Sequence, residues 1–477
     1  MSKERTTVEQ RWVLALTSIG SVMVALDVLV VAAALTTIRQ DLGATMEQLE
    51  WTVNAYSLSF AMLLMTAAAL GDRLGRRSTF AAGLALFTLA SVGCALATSV
   101  PLLIAARALQ GAGAAVVMPL AMGLLGAAFP PERRGWAIGI FSGITGLAVL
   151  GGPMIGGAVT EGLAWQWIFW INVPVGLLAI PLVLRRIPES RGAARRLDPR
   201  GATLITLAVL GLVWGVVRGA AAGWSSLEVV GSFVVGALLL CGFLAWEKRA
   251  EQPMVPLSFF RNRAFSAGNA AGFFLSAALF SAVFFVAQFM QAVLASGPLK
   301  AGLQLLPWTA TLFVVAPIAG RLVDRIGERP LVVTGLLLNA IGMAWIGLVA
   351  DPGVHYGALV APMVVAGCGV SMAMPAAQSA GTGSLPRESV GIASGIYGMM
   401  RQLGGAVGVA ILAAVFATNG GYGSAALFSA GFTRAMVVCG VLSLAGAAAG
   451  AGIARRRTEP PFVPAPAVVD SLVQEVG

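Results

Sequence analysis

Asp27 and Arg107 are charged residues placed where charge is least welcome. Asp27 lies in the apolar stretch 12–35, and Arg107 lies in the apolar stretch 102–125. An ionisable group inside a membrane-length apolar segment is costly and marks a functional site by default. If the two stretches cross a bilayer in opposite directions, Asp27 lies roughly 22 Å from the start of its stretch and Arg107 roughly 8 Å from the start of its own. The two then share a similar depth, in the half of the membrane away from the N-terminus, and can pair. A carboxylate held between desolvation, which favours its neutral form, and a nearby cation, which favours its charged form, can load and release a proton as its access to water changes. The same geometry also suits a permanent ion pair that braces two helices, and the residues alone leave both readings open.

Other chemistry is sparser. Arg401 lies near the middle of the stretch 391–417, where it either attracts a polar or anionic substrate group or bonds the carbonyls of a neighbouring helix. Glu161 reads as a water-exposed carboxylate at the end of its helix. Substrate-cavity candidates are Asn54, Tyr56, Gln110, Phe284, Gln288, Gln291, Trp308 and Arg401. Aromatic and amide groups of this kind suit a bulky amphipathic molecule, although most aromatics in membrane helices simply face lipid or other helices. Gly152-Pro153 interrupts an amide ladder, because proline has no N–H. Gly156 and its neighbouring glycines let another helix approach closely.

These side chains need membrane helices to position them. The chain has 477 residues, 58% of them hydrophobic and 11% charged, with a mean hydropathy of +0.85. A soluble domain carries roughly 25% charged residues. The apolar residues fall into stretches of about 20, the length that crosses a bilayer, near 12–35, 50–70, 79–97, 102–125, 136–160, 166–184, 200–218, 229–246, 265–289, 302–320, 330–349, 356–380, 391–417 and 432–453. The expectation is an all-α polytopic membrane protein of 14 transmembrane helices.

The net charge of +10 is a topology signal. With an even number of spans, 25 of the 31 Lys and Arg fall on the side of the N-terminus and 4 on the other, with Arg107 and Arg401 inside spans. The excess of cationic loops marks the cytoplasmic side, so both termini are expected there and nucleic acid is not an expected partner. The cysteines (Cys94, Cys241, Cys368, Cys439) stand far apart inside spans and read as packing residues. No lysine follows a glycine, so the phosphate-loop signature is missing, and a single histidine gives no His-pair metal site.

The chain also repeats itself. Asp72-Arg73-Leu74-Gly75-Arg76-Arg77 and Asp324-Arg325-Ile326-Gly327-Glu328-Arg329 share Asp-Arg-x-Gly-x-Arg at a displacement of 252 residues. The segments 130–141 and 386–397 match at a displacement of 256. Duplication of a six-helix unit explains both. The expected organisation is a six-helix bundle in 1–184, a linker with two inserted helices in 185–250, a second six-helix bundle in 251–454 and a disordered cytoplasmic tail in 455–477. Parallel repeats of this kind build many secondary transporters, with the substrate site between the halves near the midplane. The acid and arginines of each Gly turn either pin one bundle to the other, setting the balance of conformations, or only enforce topology.

Gly71-Asp72-Arg73-Leu74-Gly75-Arg76-Arg77 resembles the loop signature of the major facilitator superfamily, and 107–115 resembles its helix-four motif. Gly152-Pro153-Met154-Ile155-Gly156-Gly157 resembles the helix-five antiporter motif. Trp165-Gln166-Trp167-Ile168-Phe169 with Asn172-Val173-Pro174 resembles a signature of the fourteen-helix drug:proton antiporters. Leu26-Asp27 keeps part of the helix-one motif, while Leu29, Ala32 and Thr36 depart from it, and Gln166 stands where Arg is usual. The resemblance implies a major facilitator fold in the plasma membrane. It also implies export of small amphipathic compounds in exchange for protons, with no cofactor beyond the proton gradient, no catalysis and no obligate protein partner. It assigns proton coupling to Asp27 and Arg107. Conformational roles follow for Asp72, Arg73, Gly75, Arg77, Asp324 and Arg325, and for the Gly152, Pro153 and Gly156 bend. A facilitator or importer of a metabolite is the alternative, ahead of a membrane-embedded sensor or enzyme.

Overall fold

The computed structural model describes residues 7–191, 198–251, 253, 255–385 and 390–454. The expected tail 455–477 and residues 386–389 of the second repeat match lie outside the described residues. Every regular element among the described residues is helical. In chain order these are α1 (Val8–Leu42), α2 (Met46–Leu74), α3 (Arg76–Ala95), α4 (Val100–Ala128) and α5 (Pro131–Gly162). Next come α6 (Trp167–Trp170 and Asn172–Arg186), α7 (Pro199–Ala222), α8 (Leu227–Glu247) and α9 (Arg263–Ala292). The last are α10 (Pro298–Gln304, Leu306–Thr309 and Thr311–Ile326), α11 (Glu328–Val349), α12 (Tyr356–Gly383), α13 (Val390–Asn419) and α14 (Ala425–Ala451). Among the described residues, 12 helices are long and apolar enough to span a bilayer, or 13 with α2 counted as one bent span. The count of 14 is therefore approached without being matched; the remaining expected span, 136–160, falls on α5, many of whose side chains lie outside the described residues.

Local chemistry explains the helix ends and breaks. Thr7 with Gln10, and Thr45 with Gln48, form capping boxes that start α1 and α2, each satisfying two otherwise orphaned amides. Gly43, at φ +61°, ends α1 in the left-handed region, so the chain reverses within three residues. Expected spans 166–184 and 302–320 each run as one span whose backbone hydrogen-bond ladder is interrupted. Pro174 cannot donate to the Trp170 carbonyl and Pro307 cannot donate to that of Leu303, which frees the backbone at the breaks in α6 and α10.

The packing repeats with the sequence. In the first half α3 packs on α4, α2 on α4, and α1 on α5; in the second, α11 packs on α12, α10 on α12, and α9 on α13. The halves meet through α2 against α13 and α5 against α10, contacts that exchange under the same repeat. The inserted helices α7 and α8 pair through Gly211, Gly215 and Gly236, where an added Cβ would strike the partner backbone or side chain. α7 also touches both α2 and α13. It is tied to α2 by Arg218, which bonds Glu47 at 2.8 Å and Glu228 at 2.9 Å. Below, the termini end is the end of the bundle where α1 begins, and the distal end is where α1 turns into α2.

Candidate functional site

Four helices converge on one carboxylate. Asp27 of α1, Arg107 and Gln110 of α4, Ser91 of α3 and Asn172 of α6 are all buried, with Asp27 and Arg107 each 1% exposed. The Arg107 guanidinium donates to Asp27 Oδ2 in a short ion pair, and to Gln110 Oε1 at 2.6 Å. Gln110 Nε2 donates to Asp27 Oδ1 at 2.7 Å and to Ser91 Oγ at 2.9 Å. Asn172 Nδ2 donates to Asp27 Oδ1 at 3.2 Å. Arg107 Nε reaches the Thr52 carbonyl at 3.2 Å. The guanidinium lies 4.3 Å from the Tyr56 ring centroid, a favourable cation–π position.

α4 positions this cluster because its glycines allow contact with α2 and α3. A Cβ on Gly111 would lie 2.2 Å from the Tyr56 carbonyl oxygen, and one on Gly113 would lie 2.7 Å from the Phe87 nitrogen. The arrangement suits a charge-transfer switch. Both Asp27 oxygens are satisfied only while the carboxylate is ionised, because three donors aim at it. Adding a proton would oppose that set and weaken the hold on Arg107.

The other sequence candidates scatter. Tyr56 and Gln110, expected at a substrate cavity, belong to the ion-pair network. Phe284, Gln288 and Trp308 are buried in the packed core of the distal end. There the Tyr422 hydroxyl donates to Gln288 Oε1, and Gln291 Nε2 donates back to the Ala287 carbonyl at 3.3 Å. Asn54 is buried with neither side-chain polar atom partnered. Arg401 is half-buried in α13. Gly152 and Gly156 are buried in α5, and the Pro153 side chain lies outside the described residues. Beside them, a Cβ on Gly157 would lie 2.3 Å from the Pro298 carbonyl oxygen of α10. Glu161 is exposed and accepts from the Leu299 amide at 2.9 Å.

The Gly-turn loops tie each half to itself. Asp72 accepts from Arg76 at 2.7 Å, and Arg76 donates to the Gly123 carbonyl of α4 at 3.1 Å. Arg77 N donates to Glu189 Oε1 at 2.9 Å, and the Ser78 hydroxyl donates to Glu189 Oε2 at 2.5 Å. Although burial works against it, hydrogen bonds from Ser78, Arg77 and Ser190 hold the Glu189 carboxyl below its usual range. Gly75 sits at φ +116°, where a Cβ would lie 2.6 Å from the Glu189 carboxyl carbon, so glycine is required twice over. Arg73 and Arg325 are exposed, and the Asp324 side chain lies outside the described residues.

Sequence reasoning missed Ser91, Asn172 and Glu50. Asn172 stands in the Asn172-Val173-Pro174 segment that carried the resemblance, which was its only signal; Ser91 had none. Glu50, the first residue of the expected span 50–70 and not singled out there, is 5% exposed.

Two repeated helix sets, the first enclosing a buried ion pair, are the arrangement of a multi-pass membrane transporter. Comparison with known proteins agrees. The Major Facilitator Superfamily model matches residues 17–299 and 270–473, and the chain belongs to that superfamily. It is 36% identical over 407 residues to the tetracenomycin C resistance and export protein of Streptomyces glaucescens, covering 85% of this chain and 75% of that one. It is 34% identical to the multidrug resistance protein Stp of Mycobacterium tuberculosis, covering 84% of this chain and 75% of that one. The fold resembles a POT family transporter in complex with 5-aminolevulinic acid, with a TM-score of 0.68, 14% identity and coverage of 91% and 94%. It also resembles a bacterial homologue of the human lysosomal transporter Spinster, with a TM-score of 0.67, 16% identity and coverage of 94% and 97%.

Proposed function

We propose that this chain is a secondary active exporter in the plasma membrane, with both termini cytoplasmic, which moves small amphipathic organic compounds outward in exchange for protons by alternating access. The observation that carries the reading is the buried Asp27–Arg107 pair, held by Gln110 and Asn172 at the meeting point of four helices. A buried pair that loses one charge leaves the other uncompensated, a cost of several kcal/mol that favours repacking. Protonation of Asp27 is therefore able to bias one arrangement of the bundle over another. The names of the relatives, which concern export of tetracenomycin C and multidrug resistance, support the direction and the class of cargo.

Efflux from everted vesicles with an imposed pH gradient tests the reading. Transport of an amphipathic dye is expected to stop when the gradient is collapsed, and to be lost in Asp27→Asn. Full gradient-driven transport by Asp27→Asn would remove Asp27 from the mechanism; movement of no amphipathic compound would remove the exporter reading.

A further inference from the structure

α2 carries two opposed faces. With 100° of rotation per residue, Thr52 and Tyr56 share the face turned to α4 and Arg107. Glu50, Asn54, Ala61 and Leu64 share the opposite stripe, and Leu64 meets Gly398 of α13. That stripe faces the other half of the molecule. Near its distal end lies Glu50, 5% exposed, with no hydrogen bond or ion pair to its carboxyl among the described residues. One turn deeper, Asn54 is fully buried with both amide atoms unpartnered.

Among the described residues no cation pairs with Glu50. On its own helix, Glu47 is bonded to Arg218 of α7, which also holds Glu228 of α8. In the turn before α14, burial raises the Tyr422 phenol above its usual range and Arg39 opposes it; an ionised Glu50 would raise it further, so the two groups are close. Arg39 of α1 stacks 3.8 Å from the centroid of the Tyr422 ring. Asp27, Arg107 and Tyr56 form their own closed network on the far face of α2. Arg76 and Arg77 begin α3 at the termini end, and Arg401 stands partway along α13.

We propose that Glu50 is a second proton-binding site, separate from Asp27, loaded when the distal end closes and emptied when it opens. In this conformation the distal ends of both halves share one core, which includes Val30 and Leu35 from the first and Phe284 and Phe416 from the second. Closing that core over an ionised carboxylate with no counter-ion strands a buried charge, whereas one proton removes it. Parting the halves uncovers the α2 stripe and returns Glu50 to water, where a carboxyl gives the proton up. The Asn54 amide, on the same face, can bond the neutral carboxyl as both donor and acceptor. The site deepens the proton-exchange reading above, adding a point at which proton uptake and closure are one event. The linkage of one proton makes the closed-to-open ratio rise by up to about tenfold per unit fall in pH.

Spin labels at Gln40 and Asp351, both exposed at the distal end of opposite halves, report this closure in the full-length protein. Distances are measured from pH 5 to 9 on a Cys241→Ser background. Wild type and Asp27→Asn are expected to shift toward the short distance as pH falls. Glu50→Gln is expected to stay at the short distance throughout, and Glu50→Asp, which keeps the charge, to retain the response. A response that survives Glu50→Gln, that disappears in Asp27→Asn, or that wild type lacks would overturn the proposal. Failure of the exchange reading itself shows separately, as vesicle transport indifferent to the pH gradient while the distal response persists.

Discussion

The two halves of this molecule share a fold and divide the chemistry. Carried forward by the repeat displacements of 252 and 256 residues, Asp27 falls on 279–283 (Leu-Phe-Ser-Ala-Val) and Arg107 on 359–363 (Leu-Val-Ala-Pro-Met). Where the first half encloses an ion pair with four polar partners, the second packs rings. Phe289 stacks on Phe432 with centroids 4.4 Å apart, and Phe416 meets Phe428 at 4.9 Å. Its buried polar contacts among the described residues include neutral pairs such as Asn339 to Ser443 at 2.8 Å. The loops diverge in the same sense: Arg76 donates to the end of α4, while at the equivalent place Glu328 accepts from Ser379 of α12 at 3.0 Å. On the proposed reading, one half would respond to a proton and the other would give it something rigid to move against.

The sharpest break of that comparison is Arg107→Ala, which strands Asp27. A loss of about 3–5 kcal/mol is expected for an abandoned buried partner, read as a drop in thermal stability that Asp27→Asn/Arg107→Ala largely restores. Phe289→Ala in the aromatic half is expected to cost about 3 kcal/mol through the cavity it leaves, with no change in the pH dependence of transport. A pH-dependent effect there would erase the division of labour.

Gly75→Ala comes next, at about 1–3 kcal/mol for forced backbone strain, with the added clash against Glu189. The smallest effect belongs to Glu189. Because its folded carboxyl is held below the usual range, its contribution is present above the unfolded value and is lost as pH falls through the folded one. Hydrogen exchange at the Arg77 and Ser78 amides is expected to accelerate in that acid window, and Glu189→Gln to make it insensitive to pH.

Legibility followed the range of the interaction. Helix-length apolar stretches, the charge bias of the loops and the two Asp-Arg-x-Gly-x-Arg turns could be read directly, as each is a local pattern. Asp27 and Arg107 could be paired from depth alone, since depth follows from the rise per residue along a span. Gln110 was noticed but not placed beside Asp27: depth says nothing of rotation, and it is rotation that turns Gln110 onto Asp27. Glu50 was the plainer miss. Its place at a span edge drew no attention, because a chain read one helix at a time has no second half to cover it.

What the sequence determined by itself is therefore the set of spans, their duplication, the side on which positive charge accumulates and the identity of the buried ion pair. The tertiary structure alone decided that Ser91 and Asn172 complete the pair's shell, and that Glu50 is buried near the other half with Asn54 unpartnered one turn deeper. The physical reason is that hydropathy fixes how far a residue lies along the membrane normal, whereas its azimuth and its neighbours are set by helix–helix packing between segments hundreds of residues apart.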